Sequence, residues 1–162
     1  GFGIPLILRY ILEFCDTTAQ AVAVLRRVPS HMAYNVTALD KTGDHATVFV
    51  SPDRPTNVTR QRLATNHQGS VEWPEHAIAT ASVDRAYLLT HRLQDQNETR
   101  DRFIQRFLEP PLYQTKHHQG WGTLYTATYH PLTNRIAIRW PGYSLDTDFT
   151  NFTEQTLTLR FT

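Results

Sequence analysis

The stretch that decides the fold is "YNVTALDKTGDHATVFV", residues 34–50. Side chains in its first half alternate in character with a period of two, which is typical of a β-strand. "KTGD" at 41–44 then predicts a hairpin turn, and "HATVFV" at 45–50 is the returning strand. Strands joined by so short a turn must pair antiparallel, because a parallel pair needs a long crossover connection.

Further strands are predicted after this hairpin. After a proline break, "NVTRQRLATN" predicts a third strand with Val58, Ala64 and Asn66 on one face. Later in the chain, "GTLYTATYH" and "RIAIRW" flank the turn "PLTN", and "TLTLRF" follows a polar loop. The predicted strands are 32–40, 45–51, 57–66, 122–130, 134–140 and 156–161.

Helices are expected before and between these runs of strands. Residues 4–15 are apolar almost all round, which predicts a helix buried on most of its surface. Thr17 and Gln20 form a capping box for a second helix, which Pro29 follows. The other two helices are predicted at 82–93, with Ser82 as N-cap, and at 98–108. The order favours an α+β fold of antiparallel sheets with helices on their outer faces.

Composition excludes several classes of protein. A chain of 162 residues suits one domain spanning 1–162. The net charge of +1 and the lack of a basic stripe argue against a nucleic-acid partner. Apolar runs fall short of the roughly 18 residues that a membrane span needs, so no membrane is expected. A single cysteine fits a reducing compartment, and we expect a cytoplasmic protein.

Recognisable catalytic motifs are missing. The histidines lack metal spacing, and phosphate-loop, dinucleotide and Gly-x-Ser-x-Gly patterns are absent, so neither metal nor cofactor is expected. Cys15 lies at the end of an apolar helix, where we expect a buried and inert thiol. The chain lacks an initial Met and opens on Gly-Phe-Gly, which we interpret as the later portion of a larger protein.

The stretch "RLATNHQGSVEWPEHA", residues 62–77, ends its predicted strand on Asn66 and His67. One interpretation is a strand end followed by a solvated loop. The other is a catalytic site, because an Asn amide on a rigid strand can donate to a developing oxyanion. The local pattern leaves both open.

Three stretches carry a family resemblance: "GFGIPLILRYILE", "YNVTALDKTGDHATVFVSPDR" and "ATNHQ…VEWPEHA". Together they resemble the later part of isopenicillin-N (acyl-coenzyme A:6-aminopenicillanic acid) acyltransferase-like proteins. These are related to choloylglycine hydrolases within the N-terminal nucleophile hydrolases. The resemblance covers nearly the whole chain, and Thr-Asn-His is its most specific part.

The resemblance implies a four-layer αββα sandwich and a mechanism. Members cut themselves to expose an N-terminal Cys, Ser or Thr whose own α-amine is the base. In the cysteine branch Asn66 would stabilise the oxyanion, and His67 would flank it or form a wall for the substrate. Arg85 is the best match for an arginine beside the nucleophile, although a solvated helix arginine is an equally good interpretation. The nucleophilic Cys and its nearby Asp would precede this chain, and Cys15 does not match them.

We therefore expect the C-terminal portion of a cysteine amidohydrolase or acyltransferase that acts on non-peptide amides or thioesters. Its expected partners are an upstream segment carrying the nucleophile and a small acyl-amide or thioester substrate, with a homo-oligomer left open. The alternative is a non-catalytic α+β domain that keeps the fold and binds a ligand or a partner.

Overall fold

A computed structural model describes residues 1–161 of the chain. The described helices are α1 Ile4–Phe14, α2 Thr18–Arg27, α3 Pro74–Ala79, α4 Ser82–Gln94 and α5 Arg100–Arg106. The described strands are β1 Tyr34–Leu39, β2 His45–Val50, β3 Asn57–Thr59, β4 Thr126–His130, β5 Arg135–Trp140 and β6 Tyr143–Asp148. The chain forms two compact units, Gly1–Thr90 and His91–Thr162. All strand pairs are antiparallel, which confirms the predicted α+β class.

The first unit is built on the predicted hairpin. Its sheet has the order β1-β2-β3, and β1 pairs with β2 from Tyr34↔Val50 to Leu39↔His45. In the turn between them, one carboxylate oxygen of Asp40 accepts the backbone N–H groups of Thr42 and Asp44. The buried face of β2 and one face of α2 form the core, whose members include Leu25 and Val48.

Helix α2 docks onto this hairpin through its first turn. The capping box of Thr17 and Gln20 is present, as predicted. The backbone N–H of Thr18 also donates to Asp40 at 3.0 Å, and its hydroxyl donates to the carbonyl of Asp44 at 2.8 Å. The pKa of Asp40 is lowered to about 2, with the bond from the Thr18 backbone as the largest cause and the bond from the Thr42 hydroxyl as the next.

Helix α1 is less buried than its sequence predicts. Ile7 lies in the core, but Leu6, Leu12 and Phe14 are exposed. The prediction of a helix buried on most of its surface is therefore wrong. The physical reason is that α1 packs one face against α2 and the core, and the described residues do not cover its opposite face.

The third strand is much shorter than predicted. Strand β3 pairs with β2 only from Asn57 to Thr59, and the residues that follow leave the sheet. Asn66 therefore does not lie at the end of a paired strand, and the predicted sharing of a strand face with Ala64 is wrong. One reason is that β2 begins at His45, whose ring bonds to the Arg60 carbonyl just beyond the last pair.

The second unit holds the sheet β4-β5-β6 and helix α5. Strands β4 and β5 confirm the predicted hairpin, and Thr99 caps α5. The predicted strand at 156–161 is wrong, because the third strand is β6 within the expected polar loop. A two-residue turn of Pro141 and Gly142 produces it, with Gly142 in the left-handed region at φ 78°.

Candidate functional site

Residues 65–68 form a loop segment that a strand side chain holds in place. Asn35 of β1 donates through Nδ2 to the carbonyl of Thr65 at 2.6 Å and to the carbonyl of His67 at 2.9 Å. These two carbonyls flank Asn66 in the chain. A single amide on the sheet therefore bonds the backbone on both sides of the predicted site residue.

Ser82, the first residue of α4, holds the same segment from the other side. Its side chain is fully buried, and its Oγ accepts the backbone N–H of Asn66 at 2.8 Å. The same oxygen lies 2.8 Å from Nδ1 of His67 and donates to Thr65 Oγ1 at 3.0 Å. Ser82 was predicted as an N-cap; instead it lies inside the helix and its hydroxyl bonds to the loop.

The side chains of Thr65, His67 and Ser82 form hydrogen bonds with one another. Thr65 Oγ1 lies 3.2 Å from Nδ1 of His67, which closes a triangle with Ser82. In the tautomer that carries its proton on Nδ1, His67 donates to Ser82, and Ser82 donates to Thr65. Because a buried hydroxyl without a partner costs free energy, this pairing favours one conformation of the loop.

The side chain of Asn66 is exposed, and its amide is oriented by Arg85. Arg85 of α4 donates to Oδ1 of Asn66. A guanidinium has only donors, so this contact identifies which end of the amide is oxygen. The Nδ2 group consequently lies on the other side, and within residues 1–161 it makes no hydrogen bond. An Asn amide held by its oxygen presents N–H donors to an incoming group.

Arg85 is half-buried between its helix and this loop. Burial lowers the pKa of its guanidinium from the ordinary value, although the group stays charged. Its Nε is buried and has no hydrogen-bond partner in the described part of the chain. A buried donor without a partner costs free energy.

Gln68 ties the end of the segment to the hairpin. Its Nε2 donates to the carbonyls of Tyr34 and Val50, at 3.2 and 3.1 Å, where the β1-β2 ladder ends. Its oxygen accepts from Arg54, which also forms an ion pair with Glu72 at 3.0 Å. The loop that leaves the site is therefore fixed to the sheet.

The other possible sites do not include Asn66 or are not formed. A cavity of about 210 Å³ in the first unit is lined by Leu25, Val28, Val50, Arg54 and Thr56, and Asn66 is not among its walls. Cys15 is half-buried at the end of α1 and packs against the core. Over residues 1–161, no group of acidic, histidine or cysteine side chains could hold a metal ion. Nor does any helix in that range have the length and apolar character to cross a membrane.

Comparison with known proteins decides the family. The model of the family described as acyl-coenzyme A:6-aminopenicillanic acid acyl-transferase matches residues 1–144. The chain belongs to this family. No curated protein and no solved structure matches it. The match confirms the predicted resemblance, and the α+β model with two antiparallel sheets is consistent with the N-terminal nucleophile hydrolase-like fold of the acyl-transferase family.

The three predicted site residues of this acyl-transferase family member lie together. Asn66 contacts Arg85, and His67 contacts Ser82, which lies one helical turn before Arg85. Their catalytic and substrate-binding roles stay predictions.

Sequence reasoning missed Asn35 and the loop-holding role of Ser82. Asn35 is a polar residue within an alternating strand, and that pattern carries no signal for a contact with a residue thirty positions later. Ser82 was recognised as a serine at the start of a predicted helix, but it was interpreted as a helix N-cap.

Proposed function

We propose that the protein is part of a cysteine N-terminal nucleophile amidohydrolase or acyltransferase. Its substrates would be small non-peptide amides or thioesters, and its nucleophile would lie in a segment upstream of this chain. Membership of the acyl-transferase family supports acyl transfer as the reaction class. The single cysteine is Cys15, which is half-buried at the end of α1, packs against the core and carries no free α-amine, so it does not suit the role of an N-terminal nucleophile.

The proposed reaction runs through a tetrahedral intermediate. The cysteine sulfur, after its proton passes to the α-amine, attacks the substrate carbonyl carbon, and the carbonyl π pair moves onto oxygen. Return of that pair breaks the C–N or C–S bond, and the α-ammonium returns the proton to the leaving amine or thiolate. Water or an acceptor amine then passes a proton to the α-amine and attacks the thioester carbonyl. The acyl C–S bond breaks, the acyl group leaves on the water or amine, and the cysteine thiolate recovers the proton. The charge on oxygen is the point at which this chain contributes.

The Asn66 amide is the observation that carries the proposal. Its oxygen is occupied by Arg85, and its Nδ2 group is exposed and unpaired among residues 1–161. A donor that is already oriented stabilises an oxyanion without reorganisation in the transition state. Arg85 would act as a positioning residue for Asn66, and His67 would flank the substrate.

Two further expectations belong to this proposal. The partner of the chain would be the segment with the nucleophile, and the exposed apolar side chains of α1 are of the kind that pack against another element. A homo-oligomer is the other arrangement that such a face would suit. We place the protein in the cytoplasm, because one cysteine fits a reducing compartment.

Replacement of Asn66 tests the proposal. The chain, together with its upstream segment, is assayed on a panel of acyl-coenzyme A thioesters and N-acyl-6-aminopenicillanic acids by thiol and amine release. Asn66→Ala should lower kcat by about 100- to 1,000-fold with little change in KM, which is the effect of losing one oxyanion donor. Asn57→Ala is the matched control, because Asn57 is an exposed asparagine of β3.

The alternative function is a non-catalytic domain that binds a ligand. It is favoured by one observation, that the only thiol of the chain is Cys15 at the end of α1. No turnover of any panel member by the complete protein would decide for this alternative, whereas turnover that is unchanged in Asn66→Ala would refute the oxyanion role of Asn66.

A further inference from the structure

We infer that Asn35 and Ser82 are positioning residues for the Asn66 amide, an assignment that rests on the proposed function. Asn35 reaches the site from strand β1 and Ser82 reaches it from helix α4. We call the hydrogen bonds of Asn35 and Ser82 to residues 65–67 the loop clamp. Neither residue belongs to the Thr-Asn-His stretch itself.

A clamp is needed because Asn66 lies outside the sheet. Strand β3 ends at Thr59, so no ladder of backbone hydrogen bonds fixes residues 65–67. A loop backbone is ordinarily mobile, and a donor that moves must be reoriented in every turnover. Catalytic groups need positions accurate to about 0.5 Å.

The loop clamp acts on two peptide groups, the one that joins Thr65 to Asn66 and the one that follows His67. Asn35 bonds the carbonyls of Thr65 and His67, and Ser82 bonds the N–H of Asn66 between them. Those contacts fix the backbone on both sides of the Asn66 Cα. Arg85 then fixes the side chain through its oxygen.

Burial makes the clamp effective. Ser82 is fully buried, and Asn35 is half-buried, so water competes poorly for their bonds. Ser82 and Arg85 are three residues apart on α4, which places their side chains on one face of the helix. One helix therefore holds both the backbone and the side chain of Asn66.

The test combines turnover with a direct measure of the loop. Asn35→Asp keeps the shape but removes both N–H donors, and Asn35→Ala is the second variant if the first does not fold. Ser82→Ala removes the acceptor, whereas Ser82→Thr keeps a hydroxyl. Asn57→Asp adds the same charge at an exposed position and serves as control. Each variant of the complete protein is checked by thermal unfolding, by hydrogen exchange of the Asn66 backbone amide, and by kcat and KM on the acyl-coenzyme A panel.

In the folded Asn35→Asp and Ser82→Ala variants, the backbone amide of Asn66 should exchange about tenfold faster or more. The kcat of each should fall by about tenfold or more, with KM nearly constant. Ser82→Thr should recover most of the kcat. If Asn66→Ala lowers kcat and the folded clamp variants keep wild-type kcat, the clamp is refuted and the proposed function stands. If Asn66→Ala itself has no effect, the oxyanion role of Asn66 and the clamp are both refuted, whereas the proposed function is refuted if the complete protein turns over no member of the panel. Asn66 exchange that is unchanged in both clamp variants also refutes the clamp.

Discussion

Arg85→Met tests whether the guanidinium acts through Asn66 or on the substrate directly. Arg85 donates to the amide oxygen of Asn66 and is half-buried beside it. Methionine is unbranched and fills much of the same space, but it cannot donate. Without the guanidinium the Asn66 amide can rotate, so the Nδ2 group is no longer held toward the oxyanion.

The magnitude follows from the type of bond. A hydrogen bond to a charged group contributes about 1.5–3 kcal/mol, and about 1.4 kcal/mol corresponds to tenfold in rate. Arg85→Met should therefore lower kcat by about 10- to 150-fold. This is less than the loss expected for Asn66→Ala, because the free amide still reaches the oxyanion in part of the population.

A double-mutant cycle separates the two roles. If Arg85 acts only through Asn66, the double variant Asn66→Ala with Arg85→Met should turn over as slowly as Asn66→Ala alone. Arg62→Met, which removes an exposed arginine near the same loop, is the control and should keep wild-type kcat. Additive losses in the double variant, or a rise in KM for Arg85→Met alone, would refute the positioning role and favour direct contact with the substrate.

Two more predictions follow from the first unit. The pKa of Asp40 is about 2 in the folded chain, below its ordinary value, so its carboxylate stabilises the fold above about pH 4 and this contribution is lost as the pH falls toward 2. Thermal unfolding should show Asp40→Asn below wild type at pH 7, with a gap that closes by pH 2, and a constant gap would contradict the assignment. Cys15→Ser should keep near wild-type turnover on the panel, because Cys15 packs against the core. A hundredfold loss in a folded variant would show that Cys15 takes part in the reaction.

The hairpin of β1 and β2 could be predicted because several local signals agree there. Alternation of side chains, a turn with Gly43 at φ 87° and a β-branched returning strand all indicate the same structure. The capping box at Thr17 is equally local. Such features depend on residues within a few positions of one another, so the pattern that produces them can be recognised directly in the sequence.

Prediction failed where tertiary pairing decides the structure. "RQRLATN" alternates like a strand, but pairing with β2 stops at Thr59, and in this register β2 begins opposite Gln61, so β2 offers no partner to the later residues. The tail "TLTLRF" has the same alternation, whereas β6 forms in a polar stretch because the turn at Gly142 brings it beside β5. An alternating pattern shows that a segment is able to form a strand, but it does not show whether another strand is available to pair with it.

The site depends on contacts that no short motif contains. In the proposed site, Thr-Asn-His would supply the donor; its Thr and His contact Ser82, and the backbone around Asn66 is held by Asn35 and Ser82. The hairpin that carries Asn35 is in turn held against α2 by Asp40. A chain that kept Thr-Asn-His and lost Asn35 would still match the motif, yet its amide would belong to a mobile loop. The proposed functional unit is therefore the motif together with the strand and helix that hold it, and a test of function has to address all three.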